Sequence, residues 1–313
     1  MEKQVANLRV YELPLALFEL AEPLLRQAWF VPAPGARPKG RGLGADEAYI
    51  EMVLEGIQPG RIFVDRLDRP AAALLCHPYE FYTAGDCSPG SSLRQFIKDN
   101  PAEPGIFHSL YGYCGPGAAW EAALVEDSGG RLERIPRRSF KFKHPAPLLD
   151  WRVHLPKHAV LKRIDATLAP QVDRETHRSI SLYWGNAQNF LERSYGFCLL
   201  VDGQLASVVD VPGISSHFAN FDVVTLEAYR RQGLALLTCT ACIEETLKRG
   251  LTPTWDTDGP NLASAALALK LGFEEGNPFS QLSPPEGEKL PLSTGLWRWG
   301  GTADGVVTWV RPG

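Results

Sequence analysis

Along this chain, apolar positions recur with a period near two in some stretches and near 3.6 in others, and the switches between them mark out an α/β protein. Residues 61–65 and 71–76 are apolar runs around a polar turn. Residues 197–201 and 205–209 are another such pair, around Asp202-Gly203-Gln204. Both pairs read as β-hairpins. In both, an apolar run ends in Val-Asp and resumes with Ala within the next strand, an internal echo that suggests two copies of one fold. Residues 138–142 look like a strand. The segment 143–150 that follows carries two prolines, which restrict the backbone and favour a connection, so a domain boundary is expected near residue 150.

Beyond that boundary the pattern predicts a strand at 159–163, a helix at 170–179 and a short helix at 187–193. The second hairpin follows, then a strand at 221–226, a long helix at 233–249, a strand at 253–257 and a helix at 261–271. Further strands are expected from Phe273 and at 306–310. Leu236, Cys239, Ile243 and Leu247 give the long helix one apolar face, and Gly250 stops it. The expected fold class is α/β (α+β), with a mixed, mostly antiparallel sheet and an internal strand–helix–strand unit.

Composition adds limits. The 313 residues give room for two cores, and 44% hydrophobic with 22% charged residues is ordinary for a soluble protein. The apolar runs are short and broken, so no transmembrane span is expected. Met1-Glu2-Lys3-Gln4 opens on polar residues and leads into no signal-type core, so the protein reads as cytoplasmic. A net charge of −4 argues against a nucleic-acid partner and is compatible with a cationic amine. The six cysteines, Cys76, Cys87, Cys114, Cys198, Cys239 and Cys242, are scattered as in a reducing compartment. Cys239 and Cys242 form a CxxC, but zinc would need two more ligands and no second pair stands nearby. Inside a helical segment they read as small core residues, and no metal is expected.

The segment that carries chemistry is Val223-Val224-Thr225-Leu226-Glu227-Ala228-Tyr229-Arg230-Arg231-Gln232-Gly233-Leu234-Ala235. It is a β-run, a tight loop and a helix start, and its last six residues spell R-x-x-G-x-A. A helix start leaves backbone N–H groups without intrahelical partners, and with the helix dipole these favour an anion. Gly233 lets phosphate oxygens approach the backbone, Ala235 keeps the first turn narrow, and Arg230 or Arg231 can add a charge-assisted contact. The bland alternative is a helix start with two solvated arginines. Arg37-Pro38-Lys39-Gly40-Arg41-Gly42 also fits the string, but too little chain precedes it to build a strand platform, and its Gly/Pro content reads as a loop.

Downstream lie Pro253-Thr254-Trp255, Asn261, Ser264 and Lys270-Leu271-Gly272-Phe273. In this order and spacing the two motifs resemble the GNAT acetyltransferase superfamily, and in detail its zwittermicin-resistance-type subfamily. The clear resemblance covers residues 223–273, with a looser one back to Trp184. It implies two tandem GNAT-like domains, each a mixed, mostly antiparallel sheet flanked by helices: residues 1–149 without a cofactor loop, and 150–313 as the acetyltransferase. The first would pack on the second and shape its cleft. It further implies acetyl-CoA as co-substrate, a primary amine of a small molecule as acceptor, and no metal, membrane or nucleic acid. The cofactor arm would pair with backbone groups of Val224, Thr225 and Leu226. Its pyrophosphate would meet Gln232, Gly233, Leu234 and Ala235, with Arg230 and Arg231 alongside. Asn261 would touch the arm or, equally well, cap its helix.

The resemblance departs at Ala268, where many family members carry the Tyr that protonates the leaving thiolate; solvent or another group, with Ser264 a candidate, takes that part. Asp222, Glu227 and His217 are the candidates for deprotonating the amine. Trp255, Tyr183 and Trp184 are either cleft walls or core, and Phe273 is core. No cysteine has a base beside it in sequence, so attack is expected to be direct. The alternative to an enzyme is a non-catalytic acyl-CoA-binding module or sensor, which the missing Tyr would favour.

Overall fold

The structure is a computed structural model that describes residues 8–29, 47–77, 80–99, 111–114, 119–143, 148–176, 179–276, 278–283 and 298–311. The loop expected at 37–42 lies outside them. In chain order the strands are β1 (Leu8–Leu13), β2 (Arg61–Val64), β3 (Ala72–Cys76), β4 (Glu80–Gly85), β5 (Tyr111–Cys114), β6 (Glu133–Phe142), β7 (Ala159–Arg163), β8 (Gly196–Val201), β9 (Gln204–Ile214), β10 (Phe218–Thr225), β11 (Thr252–Asp258), β12 (Phe273–Glu275), β13 (Phe279–Ser283), β14 (Arg298–Ala303) and β15 (Val306–Arg311). The helices are α1 (Glu22–Trp29), α2 (Glu47–Leu54), α3 (Ser92–Asp99), α4 (Ala119–Asp127), α5 (Ala169–Glu175), α6 (Ser179–Trp184), α7 (Ala187–Arg193), α8 (Leu234–Lys248) and α9 (Leu262–Lys270). Among the described residues no helix is long and apolar enough to cross a membrane.

The chain forms two compact units: Met1–Leu43, Pro59–Arg137 and Pro278–Gly313 in the first, Gly44–Gln58 and Arg138–Asn277 in the second. These differ from contiguous halves meeting near residue 150. The reason is pairing that local sequence does not announce. β13 pairs with β5 and with the first half of β6, and β15 pairs with β1, so the last strands belong to the first unit. Helix α2 docks on β9 and β10, so a piece of the amino-terminal half belongs to the second.

Each unit is a mixed sheet dominated by antiparallel pairs. In the first, β1, β2, β3 and β4 pair antiparallel in succession, and β4 then pairs in parallel with β5. In the second, β7 to β10 pair antiparallel in the same way and β10 pairs in parallel with β11. The hairpin echo in the sequence is therefore an echo of topology. The first unit closes on a core that includes Phe63, Leu74, Phe96 and Trp120. The second closes on a larger one, in which Trp255 packs against Phe221 and Phe273, and Phe273 against Phe142.

Two elements differ from the pattern. The helix expected at 170–179 is two helices, because Thr176 leaves helical geometry at φ −108° and its hydroxyl bonds to Val172 O and Ser179 Oγ. Helix α8 is buried over more than its apolar stripe. Thr238, Thr240 and Thr246 are inside because each hydroxyl donates to the carbonyl four residues back, at 2.9, 2.7 and 2.8 Å. Gly250, at φ +76°, follows its end as predicted.

Candidate active site

Strands β10 and β11 run paired only at their beginnings. Phe218, Ala219 and Asn220 match Thr252, Pro253 and Thr254, and both strands then continue, to Thr225 and Asp258, with no further register between them. A wedge opens there. On its other edge β10 stays paired with β9, from Asp222 opposite Asp210 to Thr225 opposite Ser207. A bulge precedes this stretch, where Val211 and Pro212 of β9 face Phe221 alone. Proline suits a bulge because it has no N–H to place in the ladder.

The ladder decides which backbone groups face the wedge. Leu226 N donates to Ala206 O at 3.0 Å. Bonded and non-bonded pairs alternate in an antiparallel ladder, so Val224 and Asp222 also turn their N–H and C=O towards β9. Val223 and Thr225 turn theirs to the wedge. Of the expected trio, then, Thr225 faces it, Val224 and Leu226 do not, and Val223 replaces them. The sequence located the strand but not its phase. Thr225 O accepts from Arg230 Nε at 3.1 Å.

After a 3-10 turn, Glu227–Tyr229, the chain passes through two left-handed residues, Arg231 at φ +63° and Gly233 at φ +79°, and enters α8. Gly233 is the N-cap and no side chain caps this helix; by contrast Asn186 caps α7 and Asn261 caps α9. Residues that alternate in this way turn successive N–H groups into one concavity, at the positive end of a long helix. A Cβ at Gly233 would meet nothing within 4 Å, so the protein's own packing does not require this glycine, whereas its backbone angle does. Arg230, Arg231, Gln232 and Gly233 are all exposed, Leu234 is buried and Ala235 half-buried.

The catalytic candidates are spread. Asp222 is half-buried on β10 beside the wedge, and Glu227 is exposed on the 3-10 turn. Ser264 Oγ accepts from the buried Trp255 indole N–H at 3.1 Å, and its own N–H donates to Asn261 Oδ1 at 3.1 Å. Trp255, Trp184 and Phe273 are core residues, and Ala268 is fully buried. His217 precedes β10 at its opposite end, roughly 30 Å of strand from Leu226 at about 3.3 Å per residue. There its Nδ1 lies 3.1 Å from Glu51 Oε2. Glu51, Glu55 and His217 could together face a cation, but Ser215 Oγ donates to Glu51 at 2.9 Å and Ser216 N to Glu55 at 2.8 Å, so the group reads as the docking contact of α2. Burial raises the pKa of both Cys239 and Cys242, which keeps these thiols protonated and inert.

Sequence reasoning missed Asp210. It stands opposite Asp222, is buried, and accepts from Ser179 Oγ at 3.1 Å. Burial, and then the charge of Asp222, raise its pKa well above the usual carboxylate range. The only signal was an acid in an otherwise apolar strand. Because the folded value lies above the unfolded one, the stability of the neutral acid is full below about pH 4 and lost as pH rises through the raised value. Asp210→Asn keeps an oxygen for Ser179 and removes the ionisation. Its melting temperature should exceed the wild type's by at least about 2 °C at pH 8 and show no gain at pH 4. An equal shift at both pH values would contradict a neutral Asp210.

Comparison with known proteins bears on this geometry. A family model described as GNAT acetyltransferase matches residues 43–282. A Bacillus subtilis protein described as an uncharacterised N-acetyltransferase is 24% identical over 226 residues, 72% of this chain and 86% of that one. The structure of a GCN5-related N-acetyltransferase-like protein from Streptococcus suis superposes with a TM-score of 0.65 at 23% identity, covering 86% of this chain and 98% of that one. A tandem GNAT protein from the clavulanic acid biosynthesis pathway gives a TM-score of 0.54 at 14% identity, over 97% of this chain and 98% of that one. At such identities the two structures speak for the fold, including its two-unit form.

Proposed function

The chain belongs to the GNAT acetyltransferase family, and from that premise we propose that it moves an acetyl group from acetyl-CoA to a primary amine of a small molecule, by direct attack in a ternary complex. The observation that carries the reading is the start of α8: a helix with no side-chain cap, entered through left-handed Arg231 and Gly233, at the mouth of the β10/β11 wedge. The N–H groups of Gln232, Gly233, Leu234 and Ala235 receive the pyrophosphate, with Arg230 and Arg231 adding charge. The arm runs along the open edge of β10, paired with Val223 and Thr225 as an added strand would be. Asn261 keeps its amide N–H groups for the arm while its oxygen caps α9.

Asp222 takes the proton from the ammonium, and the amine attacks the thioester carbon. The carbon–sulfur bond breaks and the thiolate leaves. The N–H of Val223 steadies the charge that gathers on the carbonyl oxygen, while that of Thr225 stays with the arm. Solvent takes the second proton from the attacking nitrogen and supplies one to sulfur, since the usual Tyr position is the buried Ala268. Glu227 and Ser264 remain secondary candidates at the rim. Within the family, residues 223–273 favour the zwittermicin-resistance-type subfamily. The free cysteines, most of them buried, suit a reducing cytoplasm.

The first unit is the copy without a cofactor loop. Its counterpart of α8, α3, is capped by a side chain: Arg94 N donates to Ser91 Oγ at 3.4 Å, and Arg94 Nη1 bonds to Cys87 O at 3.0 Å. Calorimetry should therefore give one acetyl-CoA per chain; two equivalent sites would refute this assignment. A second reading, a binding module without turnover, draws on Ala268. Release of CoA measured with a panel of amines separates the two: turnover with intersecting double-reciprocal lines supports direct transfer. Parallel lines with an acetylated enzyme trapped without amine would overturn the mechanism, and binding without any turnover would favour the module.

A further inference from the structure

We propose that Tyr49, carried on α2 from the amino-terminal half of the chain, is a positioning residue for acyl transfer: through Asn220 it fixes the vertex from which β10 and β11 diverge. The inference rests on the reading that the cofactor arm lies in that wedge.

Helix α2 is fastened along its length to the hairpin of β9 and β10. Ser215 Oγ donates to Glu51 Oε2, Ser216 N to Glu55 Oε2, and Gln58 Nε2 to the carbonyl of Pro212, a bulge residue, at 3.1 Å. Tyr49 lies over Gly213, where a Cβ would come within 2.9 Å of its ring, and its ring centroid is 5.8 Å from that of Tyr183. The absence of a side chain at Gly213 is what lets the ring reach the sheet. Its hydroxyl then donates to Asn220 Oδ1 at 3.2 Å.

Asn220 sits at a singular position. It is the last residue of β10 matched to β11, and the bulge begins at the next residue. Its Nδ2 donates to Thr254 Oγ1 at 3.2 Å and to Asp256 Oδ1 at 3.3 Å. Thr254 is the last matched residue of β11, and Asp256 is two further on, within the wedge. A relay of Tyr49, Asn220 and the Thr254–Asp256 pair thus crosses the vertex.

An amide has one accepting and one donating end. The Asp256 oxygen sets the orientation, with the donating end towards β11, and the Tyr49 hydroxyl then anchors the accepting end, so the amide is held from both sides of the vertex. Without that hydroxyl the accepting end loses its anchor, and the amide is free to shift away from Thr254 and Asp256. Asn220 and Tyr49 are both buried, so the relay is held away from competing water.

The test uses acetyl-CoA as probe, by calorimetry, alongside thermal melts. Tyr49→Phe keeps the ring over Gly213 and beside Tyr183, so its melting temperature should stay within about 2 °C while its affinity for acetyl-CoA falls about five- to tenfold. Asn220→Asp cannot donate to Asp256 once ionised. Its affinity should fall more than about tenfold at pH 8 and recover towards the wild type near pH 5, a pH response that a merely structural role would not give. If the wild type itself does not bind acetyl-CoA, the wedge reading fails and takes this inference with it. If the wild type binds and Tyr49→Phe binds equally well, whether or not it melts lower, the wedge stands and the role of Tyr49 is overturned.

Discussion

Gly233→Asp is expected to abolish measurable acetyl-CoA binding, a loss of at least about a hundredfold, in a protein that still folds. Charge and position give the first part: the new carboxylate would stand at the start of α8, among the N–H groups assigned to the pyrophosphate, and repel it. The second part follows from the same site. A Cβ there meets nothing within 4 Å, so the cost is the backbone strain alone, about 1 kcal/mol for a side chain at φ +79°. Melting should therefore change little while binding disappears. Gly233→Ala separates the two effects. It adds only the backbone strain, has open space around its Cβ, and should lose about 1 kcal/mol of stability while keeping most of its affinity. Unchanged acetyl-CoA binding in Gly233→Asp would mean that this loop is not the phosphate site.

Asp222→Asn carries the second large effect. Once an acceptor amine is in hand, kcat/KM should fall by about 10² to 10⁴, the range for losing a general base, with acetyl-CoA affinity within about threefold of the wild type. Asp222 is half-buried at the wedge and stands opposite Asp210, whose pKa burial and then the Asp222 charge raise well above the usual carboxylate range. Glu227→Gln is the comparison, since Glu227 is exposed on the turn beyond the strand. If Glu227→Gln shows the large loss and Asp222→Asn does not, the base lies at the rim instead of on β10.

The second unit was the more legible in sequence, and the reason is local. From β7 to α9 each element carries its own period, and Gly233, Gly250 and Asn261 mark where helices start or stop. The strand–loop–helix proposed to hold the phosphates stood out for the same reason, being contiguous in sequence. What could not be read is what depends on partners distant along the chain. Tyr49, Glu51 and Gln58 look like ordinary helix residues until β9 and β10 supply their bonds. No strand was expected at β13, which is held by its pairing with β5 and β6. The phase of β10 was out of reach for a subtler reason: Val223 and Val224 are alike in side chain, and only the bond from Leu226 to Ala206 decides which backbone faces the wedge. Asp210 was hidden by its apolar neighbours, and its role becomes visible only when the register brings Asp222 opposite it.

A crystal structure of the protein grown with CoA tests the central claim most directly. The account predicts one molecule per chain, its arm between β10 and β11 and bonded to Val223 and Thr225, with its pyrophosphate on the N–H groups of residues 232–235. CoA bound instead in the first unit, or with its phosphates away from the start of α8, would contradict it.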